Sequence, residues 1–337
     1  MESDPQKMNT VLIVPTGIGA EIGGHAGDAN PVCKLLASVS NTLITHPNVV
    51  NASDINEMPD NVWYVEGSIL DKFLEGKISL RQPIQNIILV VANKPVRNDT
   101  INAVSAARVT IGIDATILEL DTPLKMIAHY DKGIATGDVL GWEELVHQIV
   151  DRKFDALAIH TPIEVPRNIA LSYYRNGGVN PWGGVEAKAS KIIADAIRKP
   201  VAHAPIENVT IDDMELYGIM NEIVDPRISP EAISFCYLHC VLKGLNRAPR
   251  ISSNGLSVED VDVMISPDNC FGPPHQACLK AGIPVIVIKE NKTICAEAAH
   301  QAFIYVENYW EAAGILTCMK AGIHRSSVRR PINYTAV

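Results

Sequence analysis

Two five-residue segments of one pattern carry the most reactive residue types in the chain: His160-Thr161-Pro162-Ile163-Glu164 and His203-Ala204-Pro205-Ile206-Glu207. Each follows a short apolar run, and His46-Pro47 ends a third run in the same way. In an open α/β sheet the carboxyl ends of parallel strands converge on the ligand crevice. Two imidazoles and two carboxylates meeting there would suit general acid–base chemistry. Taken singly, each proline only stops a strand and each histidine is a hydrogen-bonded neighbour. The repetition is what points to His160, Glu164, His203 and Glu207 as catalytic. No pair of ligand-type residues has tight zinc-type spacing, so no metal site is assigned.

A loop with five glycines follows the first apolar run: Thr16-Gly17-Ile18-Gly19-Ala20-Glu21-Ile22-Gly23-Gly24-His25-Ala26-Gly27-Asp28. Such a loop, leading into a helix, lets backbone N–H groups approach a phosphate or carboxylate. The spacing is G-x-G-x-x-x-G, because Ile22 stands where the dinucleotide fingerprint needs glycine. The next strand ends in His46 rather than an acidic ribose-binding residue. NAD(P) therefore stays open as a cofactor without being favoured, as does a divalent metal. Thr16, Gly17, Gly19, Gly23, Gly24, His25, Asp28 and His46 are expected to bind substrate; tight turns alone are the competing explanation.

Four further segments carry polar chemistry. In Asn180-Pro181-Trp182-Gly183-Gly184-Val185-Glu186 the two glycines precede a helix. Trp182 could roof a pocket, Gly183 and Gly184 could expose N–H groups, and Glu186 could hold an amine or a water. In Ser266-Pro267-Asp268-Asn269-Cys270-Phe271-Gly272-Pro273-Pro274-His275 the thiol of Cys270 lies just ahead of a helix, with His275 five residues on. A helix N-terminus lowers a thiol's pKa, so Cys270 is a candidate nucleophile and Asp268 a candidate acid, base or ligand. Against this, unpaired cysteines are commonly inert core residues. Asn93 and Lys94, with Glu290 and Asn291, end two more apolar runs and are expected to border the crevice.

The elements that must position these residues alternate between short apolar runs and helical patterns. Strands are expected at 11–14, 43–45, 62–65, 86–91, 156–159, 200–202, 261–265, 284–288 and 303–306, with an extended stretch at 111–120. Helices are expected at 31–40, 99–108, 142–150, 184–198, 212–221, 230–245, 276–281 and 310–321. The alternation predicts an α/β fold of two Rossmann-like lobes, with mostly parallel sheets and a cleft between them. The expected division is an N-terminal lobe over 8–150 bearing the glycine loop, a C-terminal lobe over 151–325, and a tail over 326–337.

At 337 residues the chain exceeds what one core usually organises. Aromatic residues make up only 5%, so the core must rely on Val, Ile, Leu and Ala, which suits strands buried on both faces. The formal net charge of −9 argues against nucleic acid, since the one basic cluster, His324 to Arg330, is short. Seven cysteines without a CxxC pair fit a reducing compartment. Met1 to Pro5 lacks the basic start and apolar stretch of a signal peptide, and no apolar run is long enough to cross a bilayer. The expectation is a cytoplasmic protein with a small-molecule substrate and no membrane or nucleic-acid partner. It is expected to be a homo-oligomer, on the size prior alone.

Pro15 to Ala20, Gly24-x-Ala26-Gly27-Asp28-Ala29 and Thr45 to Asn51 together resemble the opening of a bacterial protein family of unknown function. The segments 180–187 and 284–291 are similar to it as well. The resemblance implies one unit over nearly the whole chain and brings no reaction or site residue. The residues themselves point to an enzyme acting on a small, anionic metabolite by acid–base, Cys-assisted chemistry. Hydrolase, lyase and isomerase readings all stand. A non-catalytic ligand-binding or regulatory protein is the alternative, and an NAD(P)-dependent oxidoreductase the third reading.

Overall fold

The computed structural model describes residues 7–46, 59–206, 222–233, 236–296, 299–332 and 334–335. Three stretches of chain build it. The first runs β1 (Asn9–Leu12), α1 (Asn30–Val39), β2 (Thr42–Thr45), β3 (Val62–Tyr64) and α2 (Gly67–Leu74). The middle stretch holds β4 (Leu80–Arg81), β5 (Ile87–Asn93), α3 (Asn98–Thr110), β6 (Asp114–Leu120), β7 (Lys125–Asp131), β8 (Ile134–Leu140) and α4 (Trp142–Ile149). It continues with β9 (Ala156–Glu164), α5 (Arg167–Asn176), α6 (Gly183–Ile197), β10 (Val201–Ile206), α7 (Ser229–Ile233), α8 (Tyr237–Leu245) and β11 (Arg250–Ile251). The last is β12 (Val263–Asp268), α9 (Pro273–Ala281), β13 (Val285–Lys292), β14 (Ile304–Val306) and α10 (Tyr309–Lys320).

The fold is α/β with two largely parallel sheets, as the alternation predicts. The first sheet has six parallel strands in the order β14-β13-β12-β1-β2-β3. Counted along the chain, this is the doubly wound order in which the third, second and first strands are followed by the fourth, fifth and sixth. Its switch point lies between β1 and β12, where ligands of such sheets bind. The second sheet runs β6-β5-β9-β10 in parallel; the antiparallel hairpin β7-β8 joins the far end of β9.

The expected division near residue 150 does not follow the strand pairing. β1 pairs with β12 across the whole chain, while β5 pairs with β9 across residue 150. The middle stretch is therefore an insertion between β3 and β12 of one sheet, and sequence distance hid the link. The hairpin also escaped the sequence reading. Its turn residues Lys132 and Gly133 both have positive φ, 49° and 83°, the geometry of a primed two-residue turn. The expected 230–245 helix is broken into α7 and α8, and the expected 212–221 helix lies outside the described residues.

Burial follows strand parity. Leu157, Ile159 and Val201 pack with Val185, Ala189 and Ile193 of α6. Ala156, Ala158, Ala202 and Ala204 pack toward the other face, with Ala107 of α3 and Leu242 of α8. Small alanines on that face let two helices approach the sheet closely. On the first sheet, Cys33 and Leu36 of α1 and Leu316 of α10 pack in one core with Leu12 and Leu43. Phe73 of α2 and Cys278 of α9 pack in the other core with Val11 and Met264.

Candidate functional site

A cavity of about 270 Å³ opens at the switch point. β1 leads into it with Thr16, β2 ends at it with His46, and Glu66 and Asp71 border it from the start of α2. Glu186 and Lys191 of α6, His203 of β10, and Cys270 and His275 beyond β12 complete the polar wall. Of the residues expected from sequence, the cavity thus gathers Thr16, His46, Glu186, His203 and Cys270. Glu66, Asp71 and Lys191 were missed, because only the strand order brings α2 against α6.

His203 and Glu186 form the one carboxylate–imidazole pair in this wall. His203 Nδ1 lies 3.0 Å from Glu186 Oε1, and Nε2 lies 3.0 Å from the Thr161 carbonyl and 3.1 Å from its hydroxyl. The His203 side chain is 1% exposed and that of Glu186 18%. Both imidazole nitrogens are thus spent on protein atoms, whereas Glu186 presents the rest of its carboxylate to the cavity.

The matched histidines do not converge. In the β9–β10 register His203 stands beside Ile159 and His160 beside Ala204, so the two rings leave opposite faces of the sheet. His160 points toward α3, with Nδ1 3.0 Å from the Thr100 hydroxyl. Burial, helped by the charge of His203, pushes its pKa down to about 4. Glu164 is exposed, with its backbone beside Ile127 in the β7–β9 pairing, and Glu207 lies outside the described residues. Nor do the pentads stop their strands, since Pro162 lies inside β9 and Pro205 inside β10; their histidines differ in parity.

Cys270 is a poor nucleophile. Burial pushes its thiol up to about 12, the opposite of the expected lowering, and the S–H donates to the Pro267 carbonyl at 3.0 Å. His275 cannot take its proton readily. Its Nδ1 accepts from Gly272 N–H at 3.2 Å, leaving the ring proton on Nε2, 2.9 Å from Ser266 Oγ and 4.0 Å from Cys270 Sγ. Burial holds His275 near 4, so the ring stays neutral. Asp268 accepts from its neighbour's N–H, Asn269, at 3.0 Å and does not line the cavity.

The glycine loop is packed rather than open. Gly17, at φ 79°, accepts the Ala135 N–H of β8, and a Cβ there would lie 2.8 Å from the Ala135 oxygen. Cβ atoms at Gly19, Gly23 and Gly24 would strike Val179, Val14 and the Ala20 carbonyl. Asn291 clamps the loop by accepting from Ile22 N–H and donating to the Ile22 carbonyl, both at 2.9 Å. Glu231 of α7 accepts Ala26 N–H at 2.9 Å, Asn180 Nδ2 at 3.0 Å and the Tyr173 hydroxyl at 3.0 Å. The same hydroxyl is 2.7 Å from His25 Nδ1.

A carboxylate of the loop itself stands where an anion would sit. Asp28 stands at the start of α1 with both carboxyl oxygens buried and unpaired; the Gly23 and His25 amides face it without a well-formed bond. Burial pushes Asp28 up to about 7. In the second glycine segment Asn180 Oδ1 accepts Trp182 N–H at 2.9 Å and Gly183 N–H at 3.2 Å at the start of α6. Trp182 packs on Tyr173 and Tyr174 with ring centroids 5.7 and 6.0 Å away, away from the cavity.

The remaining expected residues have structural partners. Asn93 makes two bonds to the Leu124 backbone, each 2.9 Å. Lys94 pairs with Asp121 on the surface. Glu290 accepts Tyr309 N–H at 3.3 Å.

Glu231 gives the clearest pH dependence. Its carboxyl is pushed from an ordinary 4.5 up to about 7, first by burial. A raised folded pKa contributes stability below about pH 4.5 that is lost as pH climbs through 7. Glu231→Gln mimics the protonated acid, its amide donating to Tyr173, which in turn donates to His25. The variant should be more stable than the parent at pH 8, by about 2 kcal/mol, and lose that advantage by pH 5. Urea unfolding at both pH values measures it; a pH-independent difference would show that Glu231 does not titrate in the fold.

Among the described residues no helix is long and apolar enough to cross a membrane, and no group of three metal-ligating side chains stands together. A Synechococcus sp. protein (strain ATCC 27144 / PCC 6301 / SAUG 1402/1) named "Uncharacterized lipoprotein" is 34% identical over 345 residues, covering 94% of this chain and 92% of that one. Residues 9–329, which hold every described strand of the two sheets and the cavity between them, match one family model, and the chain belongs to that family, described as "Protein of unknown function (DUF3326)".

Proposed function

We propose that the protein is an enzyme that moves a proton on a small molecule held in the switch-point cavity. Glu186 is the acid–base group, and His203 is its positioning partner. The carrying observation is the pairing of a cavity-facing carboxylate with a buried imidazole anchored on the Thr161 carbonyl. A carboxylate held in one orientation at a sheet's ligand-binding edge meets the geometric demand on a general base. Hydrolysis, elimination and isomerisation all use that step.

The glycine loop speaks against a dinucleotide. The α1 start that would face its pyrophosphate carries the Asp28 carboxylate, and Glu231 occupies the Ala26 N–H. The non-catalytic binding protein is the main alternative, since the same cavity would serve it. On location two observations pull apart: the seven free cysteines fit the cytoplasm, and the relative's name, lipoprotein, fits a membrane-attached protein. Cell fractionation decides between them.

The test is to incubate the purified chain with a total metabolite extract and follow every mass over time. At least one compound should be consumed with a matching product. Ligand depletion without any product would assign the binding role instead.

A further inference from the structure

The charges around the cavity are unbalanced. Glu66, Asp71 and Glu186 contribute three carboxyls, Glu66 already accepting the Ser68 and Ile69 N–H groups at the start of α2, against one lysine, Lys191. Lys191 Nζ stands 3.8 Å from Asp71 Oδ2, and its side chain is 58% exposed. His203 is spent on Glu186 and Thr161. Burial holds the Glu66 and Asp71 carboxyls above the usual range, as expected where counter-charge is short.

A second observation points to a missing hydrogen-bond partner. His46 sits in the same wall, and among the described residues its buried Nε2 has no partner. Burial pushes the ring down to about 4, so it is neutral and offers a lone pair when the proton is on Nδ1. An unmet buried polar atom is costly, and a donor on a ligand would recover that cost.

We propose, on the reading that this cavity is the functional site, that its ligand is a small organic cation carrying N–H donors, an amine or a guanidine. The carboxylates supply the counter-charge, and His46 Nε2 accepts one N–H. At about 270 Å³ the cavity takes a compact metabolite, at the small end of ligand pockets. This reverses the charge expected from the glycine loop. A phosphate or carboxylate would meet three like charges and a single lysine already beside Asp71.

Calorimetric titration of the full chain tests it, with agmatine and butylamine as cationic probes and inorganic phosphate and butyrate as anionic ones. Agmatine should bind saturably and the anions should not. Asp71→Asn and Glu186→Gln should each weaken agmatine tenfold or more, with melting temperatures near the parent's; two variants guard against one failing to fold. Binding of phosphate or butyrate in place of agmatine overturns the proposal. So does agmatine binding that ignores both substitutions, or no binding by any probe. If a neutral or anionic compound is consumed by the parent but not by Glu186→Gln, the cation proposal fails and the proton-transfer reading stands. If agmatine binds as expected and no compound is ever consumed, the reverse holds.

Discussion

Gly184→Ala should lower folding stability by about 3 kcal/mol, at the upper end of overpacking penalties. A Cβ at this position would lie 2.0 Å from the Ala135 oxygen, 2.3 Å from its carbonyl carbon and 2.7 Å from Thr136 N. All three are backbone atoms of β8, so no side chain can rotate out of the way. β8 is tied to β7 at seven register positions, which stiffens it against retreat. Helix α6 must move instead. A Cβ at Gly137 would likewise meet Val185 at 2.6 Å, so this contact is tight from both sides. Chemical denaturation measures the loss. A change under about 1 kcal/mol would mean that α6 slides along the hairpin without penalty.

Glu186→Gln should reduce turnover by roughly 10²- to 10⁴-fold, the usual size of a lost general acid–base group. The amide oxygen can still accept from His203 Nδ1, so the pair's geometry and the fold should survive. What is lost is the ability to take a proton at the cavity face. The comparison is kcat against the compound identified in the extract, beside the melting temperature. Turnover within threefold of the parent would remove Glu186 from the mechanism. His160→Gln is the matched control: its ring faces α3 on the other side of the sheet, so the rate of proton transfer should hold.

Local pattern was legible where chemistry is local. Nearly every expected strand is present, because a short apolar run ended by proline, histidine or glycine leaves a chain few other choices. Glu186 and His203 were both named from their loops, one as a carboxylate in a helix's first turn and the other as a residue at a strand end. Their contact was not legible, since it depends on α6 lying across the mouth of β10. The His-x-Pro-Ile-Glu repeat misled for a physical reason. Identical spacing from the strand end does not fix which face a side chain leaves by; register against the neighbouring strand does, and His160 and His203 differ by one step.

The glycines misled in another way. Five in one loop can open a backbone to a ligand or close it against other backbone, and composition does not distinguish the two. The partners that decide are Ala135, Gly184, Asn291 and Glu231, all at least a hundred positions away. Glu66 and Asp71 carried no signal beyond an acidic residue near a helix start. They matter because β3 sits in the sheet that β12 completes.

That last pairing shapes how the nascent chain can assemble. β1, β2 and β3 leave the ribosome well before β12, β13 and β14, and in the interval β1 has a partner on one edge only. The middle stretch, with its own sheet, can close while the opening strands wait with unpaired backbone N–H and C=O groups along an edge. Translation stalled between Ile251 and Val306 would leave a finished insert dangling from a half-built sheet, the species most prone to clump and most in need of a chaperone.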